Sequence, residues 1–340
     1  MSETALVTVT GASGFIALHT IRQLLEQGYA VRGTVRDPGR VERLATGLSR
    51  YCDVGNLSFV RADLTEDDGW QEAMDGADFL LHMASPLPAE APDDENELIV
   101  PARDGALRAL RAAVAAGVRR VVMTSSIAAI SGGQDKSATL DESHWSDVTK
   151  DIGAYQKSKT IAERAAWDYI DGLPASGRPE FAVINPGFVL GPVIDRDTSA
   201  SHEIVRRLMA RKVPGIPDIG FSFVDVRDVA SAHVTALTHS AAPGNRYICV
   251  AESMSFRDLA QQLQDHLAPR GYRIPQRAVP DWMVRALALI NPTYKVVVSR
   301  LGPATKFDTS RVRGDFGWQP LPMAQSIVDT ADSLIAQKIA

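Results

Sequence analysis

Short apolar runs rich in β-branched residues alternate with longer stretches of helical periodicity through the first two-thirds of the chain. This alternation restricts the fold more than any other feature. "ALVTVT" (Ala5–Thr10) reads as a buried strand. From Phe15 to Gln27, Ile16, Thr20 and Leu24 share one face with Ile21 and Leu25 beside it, and Gly28 closes the helix. "AVRGTV", "LSFVRADL", "DFLLHMAS", "RVVMTSS" and "EFAVINPG" continue the strands, while Ala102–Ala116 and Tyr155–Ile170 continue the helices. Strands separated by helices imply a parallel sheet covered on both faces. The expected fold class is therefore α/β, a Rossmann-type doubly wound sheet with a smaller, mostly helical lobe. The rhythm breaks after Gly187, where Pro192, Pro214 and Pro217 punctuate the chain, and returns at "FVDVRDVASAHVTAL" and "RYICVAE". The expected division is 1–187 plus 221–252 for the nucleotide-binding domain and 188–220 plus 253–340 for the substrate lobe.

Composition removes several function classes. The net charge of −5 lacks the basic footprint of a nucleic-acid binder. Cys52 and Cys249 show no CxxC spacing, which points to a reducing compartment without structural zinc. Asp195, His202 and Glu203 do not make a convincing metal site. The first residues carry no basic segment leading into an apolar core, and no apolar run approaches membrane-spanning length. A cytoplasmic protein with a small-molecule partner, and with neither nucleic acid nor membrane, is the expectation.

The turn "TGASGFIA" lies between the first strand and the first helix, the context that a phosphate cradle requires. Gly11 permits the sharp turn, and Gly14 lets backbone amides approach a pyrophosphate at the helix start, where Phe15 and Ile16 open the first turn. Ala17 holds the third small-residue position, and Ser13 offers a hydroxyl. Val35, 24 residues after Gly11, stands where NAD-binding folds usually carry an acid; Arg36 follows it, and Arg43 is a second cation. A guanidinium there suits a 2′-phosphate, so NADPH/NADP+ is the expected cofactor. Asp37, before Pro38, reads as a turn residue.

Tyr155 and Lys159 stand at i and i+4 of one helix and share a face. A tyrosine with its usual pKa of about 10 is a poor acid–base catalyst near neutrality, and a neighbouring ammonium favours the phenolate. Lys159 can also hold the nicotinamide ribose. Thr124–Ser126 end a strand at the edge where open α/β sheets bind ligands, and supply hydroxyls to orient a carbonyl.

These stretches, with "LHMASP", "DESHWSD", "YQKSKTIAE", "NPGFVLGP" and "FDTSRVRGDFGW", resemble the extended short-chain dehydrogenase/reductases. Within them the chain is similar to the branch of dihydroflavonol reductase, cinnamoyl-CoA reductase and related aldehyde and ketone reductases. Ala17 departs from the glycine common there. The resemblance implies Ser126 as catalytic serine, with Ser125 as fallback, Tyr155 as proton donor and Lys159 as its partner. It implies Asp63 and Leu64 flanking adenine. Met83, Ala84, Ser85 and Thr124 are expected to line the cofactor channel, with Pro186, Gly187 and Val189 near the carboxamide. It places the variable lobe after Gly187, where Phe188, Leu190, Met209, Ile216, Phe221 and Phe223 are expected to form an apolar substrate wall. Phe221 and Phe223 are read as one core residue and one pocket residue, in either order. His82 reads as structural, and Arg206, Arg207, Arg211 and Lys212 as a solvated face. His144 and Trp145 fit a substrate border or a packed loop equally.

The implied activity is NADPH-dependent reduction of a hydrophobic or aromatic aldehyde or ketone. One alternative is a sugar-nucleotide epimerase or dehydratase; "TSSIAAISG" lacks the acid pair usual after the serine strand of such dehydratases. Another is a non-catalytic dinucleotide sensor, a group that often loses the Tyr–Lys pair retained here. The helices Ala102–Ala116 and Tyr155–Ile170 are of a kind that can form a homodimer bundle.

Overall fold

A computed structural model describes residues 4–86, 94–196, 199–290, 297–298 and 300–339. The first half runs β1 (Leu6–Val9), α1 (Phe15–Glu26), β2 (Ala30–Val35), α2 (Val41–Leu48), β3 (Leu57–Arg61), α3 (Trp70–Met74), β4 (Phe79–His82), α4 (Asn96–Ala115) and β5 (Arg120–Thr124). It continues with α5 (Ala128–Ser131), β6 (Thr139–Leu140), α6 (Ala154–Asp171), β7 (Glu180–Pro186) and β8 (Phe188–Leu190). Then come α7 (Ala200–Met209), β9 (Ile216–Pro217), β10 (Gly220–Asp225), α8 (Val226–Thr238), β11 (Arg246–Cys249), β12 (Glu252–Ser255) and α9 (Phe256–Leu267).

Seven strands form the main sheet in the order β11-β7-β5-β4-β1-β2-β3, every neighbouring pair parallel. The order reverses between β1 and β4, the point at which a doubly wound sheet opens a ligand crevice. The apolar runs sort by strand alternation. Val7 and Val9 of β1, Phe79 and Leu81 of β4, Val122 of β5, and Ala182 and Ile184 of β7 join the core under α1 and α8. Their alternates Leu80, Val121, Met123, Phe181 and Val183 join the core under α3, α4 and α6. Both faces are covered, so both parities must be apolar.

A second sheet, β12-β10-β8, pairs β8 with β10 in parallel and β10 with β12 antiparallel. β10 serves both regions: Val224 belongs to the main core, while Phe223 belongs to the lobe core with Leu190, Leu208, Leu259 and Ile327. Residues 310–318 depart from the expected division. Val312 and Trp318 pack into the main core, the Trp318 indole N–H donates to the Asp228 carbonyl at 3.0 Å, and Phe316 stacks on Tyr247 at 4.3 Å. The C-terminal helix Met323–Ala336 then rejoins the lobe core.

Candidate active site

The glycine turn has the geometry its sequence implies. Gly11 lies at φ +66°, and a Cβ there would meet the Cα and Cβ of Ala84 at 3.0 Å, across the reversal point. The turn is pinned by the Ala12 amide donating to the Thr34 carbonyl at 2.9 Å and the Gly14 amide to the Gly11 carbonyl at 2.8 Å. Gly33, unnoticed in the sequence, lets Ala12 nest: a Cβ there would stand 2.6 Å from the Ala12 methyl. Gly14 caps α1 in extended conformation, and the first-turn amides have no helical acceptor by geometry. Ala17 is buried beneath the turn, as a small third residue should be.

Beside this turn, the Thr10 hydroxyl accepts from the amides of Met83 and Ala84, both at 3.0 Å. Its own proton therefore goes to His82 Nδ1, also at 3.0 Å. Burial, with help from the Lys159 charge, lowers the His82 pKa to about 4, so the ring is a neutral structural acceptor. Thr10 thus fixes the backbone at Met83 and Ala84 along the expected cofactor channel.

At the end of β2, Arg36 is exposed, and its charge helps lower the pKa of Asp63. Burial opposes ionisation of Asp63, but hydrogen bonds from Thr65 and the cations Arg36 and Arg61 outweigh it. Asp37 accepts from the Gly39 amide at 2.9 Å, the turn role read from sequence. Arg43 pairs with buried Asp195 at 3.1 Å, so the expected second phosphate cation is at least partly committed to that carboxylate. Leu64 is half-buried and packs where Gly105 leaves room.

Tyr155 is half-buried in the first turn of α6, and Lys159, one turn on, is 9% exposed. Among the described residues Lys159 has no carboxylate partner. At the end of β5 the two serines divide. Ser125 Oγ donates to Glu163 at 2.5 Å. Ser126 Oγ accepts from the Ala128 amide at 3.1 Å and keeps its proton for another acceptor. Thr124, expected on the cofactor, donates instead to His233 Nε2 at 2.7 Å, because His233 Nδ1 is spent on the Val229 carbonyl at 2.8 Å. Gly187 is forced by packing: a Cβ there would stand 2.3 Å from the Ser222 carbonyl oxygen. Pro186 is buried, and its carbonyl accepts from the Ile127 amide at 3.1 Å. Val189 is also buried, at 7% exposure.

The apolar wall is thinner than expected. Leu190, Met209, Ile216 and Phe223 are buried in the lobe core and back the wall rather than surface it. Phe188 and Phe221 are half-buried at its rim, 5.0 Å apart. Phe221 and Phe223 point to one face, as i and i+2 of a strand must, and differ in depth rather than direction. Arg300 is a residue the sequence did not reveal. It remains open to solvent, yet enough protein surrounds it that desolvation lowers its pKa while the Tyr155 charge acts to raise it. Its neighbour Leu301 is held by Lys136 Nζ on its carbonyl at 2.9 Å.

"DESHWSD" is a packed loop. His144 Nδ1 lies 2.7 Å from Asp141, Trp145 lies under Arg246, and Ser146 braces Gly132 and Ala128 in the segment that follows Ser126. Arg206 and Arg207 of the expected solvated face pair with Glu203. Among the described residues no three His, Cys, Asp or Glu side chains gather as a metal would need, and no helix is long and apolar enough to cross a membrane.

Comparison with known proteins agrees with this fold. The chain is 35% identical over 269 residues to dihydroflavonol 4-reductase of Gerbera hybrida, covering 77% of this chain and 72% of that one. It is 34% identical over 340 residues to cinnamoyl-CoA reductase 1 of Arabidopsis thaliana, covering 96% and 88%. The solved yeast methylglyoxal/isovaleraldehyde reductase complexed with NADPH superposes with a TM-score of 0.80 at 27% identity, over 98% of this chain and all of that one. A model of the NAD dependent epimerase/dehydratase family matches residues 7–250. The chain belongs to that family, on its extended short-chain dehydrogenase/reductase branch with the dihydroflavonol and cinnamoyl-CoA reductases.

Proposed function

We propose that this chain is an NADPH-dependent reductase of aldehydes or ketones. The observation that carries the reading is the division of labour at the β5–α6 corner: Ser125 is consumed by Glu163, while Ser126, Tyr155 and Lys159 are left with groups to offer. The Gly11 turn, the α1 amides, the exposed Arg36 and the Lys159 ammonium fit a dinucleotide carrying a 2′-phosphate.

When bound, NADPH supplies the hydride that reaches the carbonyl carbon. Ser126 donates its hydroxyl proton to the substrate oxygen and holds it in place. Tyr155 transfers its phenolic proton to the same oxygen as negative charge develops there. Lys159 favours loss of that proton through its charge and contacts the ribose with the same ammonium. Phe188 and Phe221 offer an apolar rim. Such a surface favours a hydrophobic carbonyl compound over a polyhydroxylated sugar nucleotide, which needs many hydrogen-bonding partners.

The test follows NADPH consumption with aryl aldehydes and ketones, beside conversion of UDP- and GDP-sugars. Carbonyl reduction is the expected result. Sugar conversion without carbonyl reduction would reject the reductase reading.

A further inference from the structure

Glu163 closes the stretch "YQKSKTIAE", and nothing in the proton transfer above uses it. It lies four residues after Lys159 and eight after Tyr155 on α6, fully buried. Its carboxylate is the meeting point of three strand ends. Oε2 accepts from Ser125 Oγ at 2.5 Å and from Asn185 Nδ2 at 2.9 Å. Oε1 accepts from Arg246 Nε at 2.6 Å. Asn185 Nδ2 also donates to the Ser126 carbonyl at 3.2 Å. Arg246 is fixed in turn: Nη1 donates to the carbonyls of Glu142 at 2.8 Å and His144 at 2.7 Å, and Trp145 covers the guanidinium at 3.8 Å.

A buried ion pair of this kind is a weak source of stability. Desolvation cancels much of the attraction, and well-packed apolar replacements are often neutral or stabilising. What the arrangement does supply is geometry. One carboxylate ties the helix bearing Tyr155 and Lys159 to the strand end bearing Ser126, and does so directionally. It also decides which serine is free, because Ser125 has one proton and Glu163 takes it. Arg246 neutralises the carboxylate locally, so Lys159 keeps its charge for Tyr155 and the cofactor rather than for a carboxylate one helical turn away.

We propose that Glu163, held by Arg246, is a positioning residue that sets the placement of Tyr155 and Lys159 against Ser126 and keeps Ser125 out of the chemistry. The proposal rests on the reductase reading for its kinetic readout, and carries a second readout that needs no turnover. The decisive variant is Glu163→Leu combined with Arg246→Met, which removes both charges together and leaves neither one buried and unpaired. It is compared with the parent enzyme by thermal unfolding, by kcat and KM for NADPH, and by ultraviolet titration of the Tyr155 phenol, taken as the difference from the same background carrying Tyr155→Phe. Misplacement of about 1 Å costs on the order of 100-fold, so a folded double variant is expected to lose about 10- to 100-fold in kcat. Its KM for NADPH should change by a smaller factor than kcat, because the ribose contact of Lys159 moves while the cradle around Gly11 stays in place. The Tyr155 phenol titration should differ from the parent's, because α6 is no longer fixed against the end of β5. Ser125→Ala, which removes one hydrogen bond and no charge, should show the same changes in smaller degree and serves where the double variant does not fold. A folded variant with parental kcat and an unmoved phenol titration overturns the proposal. Absence of carbonyl turnover by the parent rejects the reductase reading instead, and the phenol titration then decides this one alone.

Discussion

Around Ser126 and Lys159, Thr10, Thr124, Ser125, Glu163, Asn185 and Arg246 are each tied to a named partner in another part of the chain. In the lobe, Phe188 and Phe221 rest on buried Leu190, Met209 and Phe223, held by ring contacts and apolar packing. The first region is directional, so each group fixes its neighbour's angle and the reacting atoms stay in register. The second is shaped by volume, so apolar side chains of similar size can be exchanged there at modest cost. Acid–base machinery belongs on the first kind of support, and selectivity among substrates on the second.

Breaking the directional side should have the largest effect. Tyr155→Phe keeps the ring and removes the proton, so kcat should fall by roughly 10²–10⁴-fold, with NADPH affinity by fluorescence titration nearly unchanged. A near-parental rate would place the acid elsewhere. On the apolar side the contrast is between depths. Phe223→Ala should cost about 3–5 kcal/mol of stability in urea unfolding, because it empties a fully buried site. Phe221→Ala, at the rim, should be much milder on stability and should chiefly raise KM for the carbonyl compound. Equal stability losses would erase the distinction between rim and core.

Arg36→Ala tests the cofactor end. Loss of a charge-assisted contact should weaken NADPH by about 1.5–3 kcal/mol, roughly 10- to 100-fold, and leave NADH near its parental affinity. Equal weakening of both would assign Arg36 to the fold. The smallest effect per residue is set by pH. His19, His82, His202 and His233 are buried, and burial lowers each pKa from 6.5 to about 4. Their folded pKa values lie below the unfolded value, so the unfolded chain takes up protons first as pH drops. The stability they contribute is present above pH 6.5 and is lost as pH falls toward 4, by roughly 1–2 kcal/mol per ring at pH 5. Urea midpoints at pH 7 and pH 5 measure the sum, and His233→Gln should reduce the difference.

The sequence made visible what local chemistry demands. Gly11 and Gly14 are legible because a backbone turn needs them at fixed spacing. Tyr155 and Lys159 are legible because one helix turn brings them together. The strands were legible because a covered sheet needs apolar residues on both faces. Glu163 was in view but mute, since its partner Arg246 lies 83 residues away and only the sheet order unites them. Arg300 stands in a segment with no periodic pattern. The commitment of Arg43 to Asp195 and of Thr124 to His233 depends likewise on long-range closure. The wall misjudged Leu190 and Phe223 because apolar character shows a preference for burial without showing depth.

The return of residues 310–318 to the main sheet has a consequence for how the molecule comes apart. The polypeptide leaves the sheet for the lobe, returns at Val312 and Trp318, where Asp228 accepts from the Leu321 amide at 2.8 Å, and leaves again for the C-terminal helix. The lobe is therefore laced through its neighbour rather than hung from it. A protease that nicks one connection frees neither half, and the fragments should elute together until denaturant separates them.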